Sequence, residues 1–365
     1  MFLRCTRCLM PTTRPDTAFV DGVCSACISY AKRPQIDWEQ RKADLMVLLD
    51  RHHGECIVPS SGGKDSHWQV LKLLEIGAHV TVVTASTCHL TPIGRANIDN
   101  LARYARTIEV TPNRTVRAKL NRLGMELVGD ISWPEHVSIF NTPFAVSINQ
   151  RIPLIFYGEN PQEAYGGPKG KDEARIMTRR WIAEFGGHLG LRPADMVGQQ
   201  GITERDMAPY MPPWTAADSN TEAHFLGAYF EWGSHRNAKV AADAGMLQAL
   251  PTSANLWAHE NLDNAQTGLH DYMGWLKYGY GRGAAQISVD IRAGRITRES
   301  AMEWVRYHDG KFPWEYAGVP INTVLKPLGL DINRFKTWEI VDQFTNWELF
   351  RRVEDHFDAP PVLIA

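Results

Sequence analysis

The sequence has almost no net charge, no long apolar run and few cysteines, and each shortage excludes something. Its 39 lysines and arginines stand against 41 acids, a net charge of −2, so no broad surface is expected to attract a polyanion such as nucleic acid. No stretch approaches the roughly 20 apolar residues that span a bilayer. The opening segment carries Arg4, Arg7, Pro11 and Asp16 rather than the apolar core of a secretory signal, and a cytoplasmic protein is the expectation. Six cysteines in 365 residues are too few for a disulfide scaffold, and four of them lie within the first 27. Internal repeats and low-complexity tracts are lacking as well.

What those four cysteines form is specific. Cys5-x-x-Cys8 and Cys24-x-x-Cys27 are two CxxC pairs separated by fifteen residues, the spacing of two knuckles that close on one tetrahedral zinc ion. Four protein ligands leave no open position, so Cys5, Cys8, Cys24 and Cys27 predict a structural metal. Cys56 reads as a small buried hydrophobe. Cys88, after a strand, is the better thiol candidate, although an inert role is favoured for it too.

Beyond residue 54 the pattern alternates between strand and helix. Short apolar runs at "CIVPS", "HVTVVTAS" (79–86), "TIEV" (107–110) and "PLIFYGEN" (153–160) are separated by helical stretches over 64–77, 93–106 and 115–129. Such alternation predicts βαβ units, a parallel sheet covered on both faces and ligands at the carboxyl ends of its strands. After "YGG" (165–167) the chain turns to Gly-, Pro- and Trp-rich loops and helical segments such as 234–245 and 297–308. The expected organisation is a cysteine module over 1–35, an α/β domain over 36–175 and a mainly helical region over 176–365.

Between the first strand and its helix lies Ser61-Gly62-Gly63-Lys64-Asp65-Ser66. A Walker loop needs a glycine five residues before Gly63 and a hydroxyl residue after Lys64; the chain has Val58 and Asp65 there. The composition still suits an oxyanion, since glycines expose backbone N–H groups, serines add hydroxyls and the helix N-terminus is positive. Asp65 would repel phosphate unless Mg²⁺ intervened or backbone hydrogen bonds held the carboxylate aside. Lys64 reads equally well as a phosphate ligand or as an exposed loop lysine.

The strand-loop-helix with S-G-G-K-D-S resembles the PP-loop ATP pyrophosphatases, a superfamily with an adenine nucleotide alpha hydrolase-like (HUP) sheet, which adenylylate a substrate oxygen and release pyrophosphate. Within it the chain is similar to the N-acetyl sugar amidotransferases of lipopolysaccharide O-antigen and nonulosonic acid (pseudaminic, legionaminic) biosynthesis. The motifs are "CTRCLMPTTRPDTAF" with "GVCSAC", "IGRANIDNL" (93–101), "YGENPQEAYGG" (157–167), "HDYMGWLKYGYGR" (270–282), "DIRAGRITRE" and "YHDGKFP". The chain departs from the family pattern at Pro92, Ala164 and Ala285. The resemblance implies that ATP activates the carbonyl oxygen of an N-acetyl sugar, free or nucleotide-linked, and that ammonia then displaces AMP to leave an acetamidino sugar. It also implies a separate glutaminase and an ammonia-conducting barrel protein as partners. In agreement, Phe2 offers no N-terminal nucleophile, and neither Cys56 nor Cys88 sits in a Gly-x-Cys-x-Gly elbow. A tRNA-modifying PP-loop enzyme, of thiolation or lysidine type, is the alternative; the charge balance and the lack of a further CxxC pair weigh against it.

Candidate residues follow. Ser61, Gly62, Gly63, Lys64 and Ser66 are expected to bind nucleotide, with Asp65 in a catalytic role. Ser86 and Thr87 end the second strand where adenosine would lie, and Arg95 and Asn97 follow at the next helix. Glu159, at a strand end, is a candidate base or orienting group. His270, Asp271, Lys277 and Arg282 concentrate acid-base and cationic groups on one helix and its exit, with His270 and Lys277 on a shared face.

Overall fold

The computed structural model describes residues 3–170, 173–213 and 220–332. Near the start, a two-stranded antiparallel ribbon pairs Phe19–Val20 with Val23–Cys24 and leads into helix α1 (Ser25–Lys32). Helix α2 (Trp38–Arg51) follows, started by the Asp37 carboxylate, which accepts from the Gln40 N–H. Its Leu45, Leu48 and Leu49 are buried against the sheet, so α2 ties the cysteine segment to the main core.

That core is a five-stranded sheet of β1 (Glu55–Pro59), β2 (His79–Ala85), β3 (Arg106–Val110), β4 (Leu154–Tyr157) and β5 (Glu222–Phe225). Every pairing is parallel, in the spatial order β3-β2-β1-β4-β5. The central strands read as apolar runs because both faces are covered: Cys56, Ile57 and Val58 are fully buried, as are Leu154, Ile155 and Phe156. The intervening helices are α3 (Lys64–Glu75), α4 (Pro92–Leu101), α5 (Arg114–Val128) and α6 (Trp133–Gln150). Local chemistry sets their ends. Thr91 caps α4, with Pro92 at its first turn; Asn113 caps α5; and Gly129, at φ +60°, closes α5 in the left-handed conformation that favours glycine.

The four strands expected from the sequence are present, and the sheet holds a fifth that the sequence does not signal. The 176–365 region was read as mainly helical, yet its Glu222–Phe225 forms the edge strand, in register with Leu154–Tyr157. Only four residues long, it has no helix-strand alternation around it to signal it. Apart from a short antiparallel ribbon that pairs Glu315–Tyr316 with Val319–Pro320, the regular elements described there are helices: α7 (Ser234–Asp243) lies along α3, and α8 (Thr267–Tyr278), α9 (Arg282–Arg292) and α10 (Arg298–His308) follow. Leu269, Met273 and Leu276 of α8 share a core with Met125, Ile131, Val324 and Leu325.

The chain builds outward from β1 through β2 to β3, then crosses back to place β4 on the other side of β1. The crevice at this reversal opens at the carboxyl ends of β1 and β4, where ligands bind in such sheets. The Ser60–Gly63 loop leaves β1 there and Glu159 leaves β4 there. Among the described residues, no helix is long and apolar enough to cross a membrane.

Candidate functional site

The loop after β1 is held open by its own hydrogen bonds. Ser60 Oγ accepts from the Gly62 N–H at 2.9 Å and lies 2.9 Å from Ser66 Oγ, which in turn donates to the Gly63 carbonyl at 3.0 Å. Buried His67 bridges the same Gly63 carbonyl at 3.0 Å and Asn100 Nδ2 at 3.1 Å. Because the Asn100 amide N–H donates to Nε2, Nδ1 carries the proton given to Gly63, and burial keeps the ring neutral by lowering its pKa. Gly62 is required for two reasons: its φ is +77°, and a Cβ there would come within 2.8 Å of the Ile98 nitrogen.

Lys64 is a buried residue, 4% exposed, which removes its reading as an exposed loop lysine. Its Nζ lies 2.6 Å from Asp65 Oδ2 and 3.4 Å from Glu260 Oε1. Burial opposes its charge, but Asp65 and Glu260 outweigh that and raise its pKa above the ordinary lysine value. Asp65 also accepts from Asn237 Nδ2 of α7 at 3.0 Å. Its negative charge is therefore balanced by Lys64, with a hydrogen bond from Asn237, a third answer beside the two anticipated for it. Glu260 is fixed further by Gln286 Nε2 at 2.8 Å. Burial pushes its pKa up, and Lys64 and Arg282 pull it below the usual carboxylate value.

Glu159, half-buried, differs. Burial first, then repulsion from Asp65, raises its pKa to about 7 against the pull of Lys64. Such a carboxyl exchanges a proton near neutrality, as a general base must.

Two cavities meet at Glu159. One, of about 340 Å³, lies over the strand ends; Ser61, Thr87, Ile139, Phe140, Tyr157 and Trp181 are among its walls, with Asp263 at its edge. Burial raises the Asp263 carboxyl to about 6. The flat apolar walls beside loop hydroxyls suit a nucleoside next to phosphates. The other, of about 260 Å³, is lined by Lys64, Glu159 and Trp257 and by Arg33, Arg236, Arg292 and Arg295. Arg33, Arg236 and Arg295 are paired with Glu163, Glu231 and Asp290, and Glu163 and Glu231 also line the cavity, so its guanidinium groups offer forked hydrogen-bond donors more than a net positive charge.

Cys5, Cys8, Cys24 and Cys27 are all buried, with their sulfurs within 4.8 Å of one another. Cys5 and Cys27 Sγ are 3.8 Å apart, Cys8 and Cys24 Sγ 3.7 Å. Tetrahedral thiolates about 2.3 Å from a zinc ion would stand about 3.8 Å apart, so the cluster fits a closed four-thiolate ion. Backbone N–H groups of Met10 and Cys24 point at Cys8 and Cys5 Sγ. Arg292, in the arginine-lined cavity, reaches Cys8 Sγ at 3.8 Å and the Ala164 carbonyl at 2.6 Å.

The remaining candidates are dispersed. Ser86 donates to Glu109 at 2.8 Å, and Arg95 pairs with Glu109 and Asp99. The Asn97 amide is fully used, donating to the Leu247 carbonyl at 3.0 Å and accepting from its N–H at 2.7 Å. His270 and Lys277 do share a face: His270 Nδ1 meets Asp130 at 2.8 Å and Lys277 donates to the Val128 carbonyl at 3.3 Å. Asp271 points elsewhere and holds Arg282 in a two-pronged pair at 2.7 and 3.1 Å. Arg282 starts α9 within electrostatic reach of Glu260, which connects it to Lys64. Cys56 is fully buried, which raises its thiol pKa to about 12, and burial raises that of Cys88. Of the departures, Ala164 lines the arginine cavity, Pro92 starts α4 and Ala285 packs beside the four cysteines.

Sequence reasoning missed Asn237, Glu260, Gln286 and the four arginines. They are spread over hundreds of residues and belong to no contiguous phosphate motif; only the fold collects them.

Residues 254–359 match the family "LPS biosynthesis protein WbpG-like, C-terminal domain". The match covers under a third of the chain and ties that part to lipopolysaccharide biosynthesis proteins. Glu260, His270, Asp271, Lys277, Arg282, Gln286 and Arg292 all lie within it. No curated protein matches the chain.

Proposed function

We propose that the protein is an ATP-dependent, AMP-forming amidotransferase that converts an N-acetyl group of a sugar to an acetamidino group in lipopolysaccharide O-antigen biosynthesis. The observation that carries this reading is Glu159, a carboxyl with a pKa of about 7 that lines both cavities at once. Adenosine would occupy the apolar cavity, with its phosphates on the Ser61–Ser66 loop. The sugar would occupy the arginine-lined cavity, whose guanidinium donors suit the oxygens of a sugar or of a nucleotide-linked acceptor.

The amide oxygen attacks the α-phosphorus and pyrophosphate leaves; ammonia then adds to the activated carbon, and AMP departs with the former amide oxygen. Lys64 stabilises the charge that builds on the phosphates, and Glu159 takes a proton from the incoming ammonium or its adduct. Asp65 and Glu159 offer carboxylate oxygens of the kind Mg²⁺ takes when it accompanies ATP. Zinc at the four cysteines would be structural, since no ligand position is left for substrate. Ammonia would come from a glutaminase through a barrel-shaped partner protein.

The test is incubation of the full chain with ATP, Mg²⁺, ammonium and a panel of free and nucleotide-linked N-acetyl sugars. The expected result is a sugar about one mass unit lighter, an oxygen exchanged for NH, together with equal AMP and pyrophosphate. ATP binding without turnover across the panel would contradict the proposal.

A further inference from the structure

Asp130, His136 and His270 come from three different elements. Asp130 sits in the turn between α5 and α6, His136 in the first turn of α6, and His270 in the first turn of α8. One ligand atom from each lies within 4.8 Å of the others. Asp130 is 3% exposed, and a carboxylate at that depth needs compensation. The obvious account is that both imidazoles donate hydrogen bonds to it. His270 does so at 2.8 Å. His136 approaches less directly: its Nδ1 lies 3.1 Å from Asp130 Oδ2, an ion pair whose line of approach is too bent for a well-formed hydrogen bond. Ligands about 2.1 Å from a metal stand about 3.0–3.4 Å apart, so this bent separation also suits two neighbours around a shared ion.

The surroundings agree. The Ser132 N–H donates to Asp130 Oδ1 at 2.8 Å, and Gln266 donates to Ser132 Oγ at 3.1 Å, an outer layer that fixes the carboxylate. Gly187, at φ +74°, packs against the His136 ring so closely that a Cβ would come within 2.7 Å of Nδ1. Lys277, which donates to the Val128 carbonyl at 3.3 Å, is a nearby opposing charge. The two imidazole side chains retain 25% and 29% exposure.

We propose that Asp130, His136 and His270 bind a divalent transition-metal ion, zinc or iron(II), at a two-histidine, one-carboxylate site with open positions, separate from the four-cysteine cluster. The site does not depend on the amidotransferase reading. It lies one helical turn before Ile139 and Phe140, which line the apolar cavity, so a water-bearing ion there would stand near that cavity's edge.

The full chain, stripped by a chelator and titrated with Co²⁺ and then Zn²⁺, tests it by stoichiometry and spectrum. Two equivalents per chain are expected. His136→Ala and, independently, His270→Ala should each lose one equivalent while the intense sulfur-to-cobalt charge-transfer band of the cysteine site remains. Cys24→Ser should lose that band and keep one equivalent. Should a histidine variant fail to fold, the wild-type stoichiometry and the Cys24→Ser result still decide. A single equivalent in the wild type, abolished by Cys24→Ser, overturns the proposal.

Discussion

Lys64, in the first turn of the helix after the loop, stands 3.4 Å from Glu260, a residue 196 positions later that belongs to the C-terminal part of the chain. The Ser61–Ser66 loop and the family-matched segment are thus joined by a buried charge pair. Breaking a fully buried pair by removing one partner costs about 3–5 kcal/mol. Lys64 keeps Asp65, so Glu260→Gln is expected to destabilise by about 2 kcal/mol. Denaturant unfolding should show it, and the same variant should raise KM for ATP because Lys64 loses its anchor.

Glu159 gives a pH signature. With a pKa of about 7, its carboxylate is available only as pH rises through neutrality. Turnover in the wild type should climb across that range, and Glu159→Gln should lose it, with a rate lower by about 10²–10⁴-fold. The stability effect has the opposite sign. A carboxyl whose folded pKa exceeds its unfolded value binds its proton more tightly when folded, so stability is lost as pH rises from the unfolded value to about 7. Glu159→Gln should therefore melt higher than wild type above pH 7, a gain that disappears in mild acid; an unchanged pH–rate profile would sink the assignment.

Asn97 separates a structural role from a ligand role. It is 1% exposed, and its amide serves the Leu247 N–H and carbonyl. Asn97→Ala strands both groups, at about 1–3 kcal/mol. Thermal melting should record that loss while KM for ATP stays at the wild-type value; a raised KM in a fully folded variant would show nucleotide contact.

Arg292 should control the acceptor rather than the nucleotide. Arg292→Ala is expected to raise KM for the sugar by about tenfold or more, an effect that grows weaker with salt, and to leave KM for ATP unchanged. Arg292→Lys should not restore it, since one ammonium cannot span both the Ala164 carbonyl and Cys8 Sγ.

How much of this was legible in the sequence depended on locality. The strands at Cys56–Val58 and Leu154–Phe156 were visible because burial on both faces forces continuous apolar runs, and the cysteine pairs because metal spacing is local. The Glu222–Phe225 strand was invisible, since four residues joining a sheet edge leave no periodic trace. Ser61–Ser66 reads as a phosphate-type loop, but between the two readings of Lys64 the sequence cannot choose: its burial comes with Glu260 and with α7, which carries Asn237. His270 was singled out, but its partners Asp130 and His136, more than 130 positions earlier, were not. Site chemistry built by long-range convergence needs the fold.

The most direct measurement of the central claim follows one oxygen atom. An N-acetyl sugar labelled with ¹⁸O in its acetamido carbonyl is turned over with ATP and ammonium, and the released AMP is weighed by mass spectrometry. The account predicts that the label leaves the sugar and appears in AMP, one atom per amidine formed. Unlabelled AMP beside a sugar that keeps its ¹⁸O would contradict it.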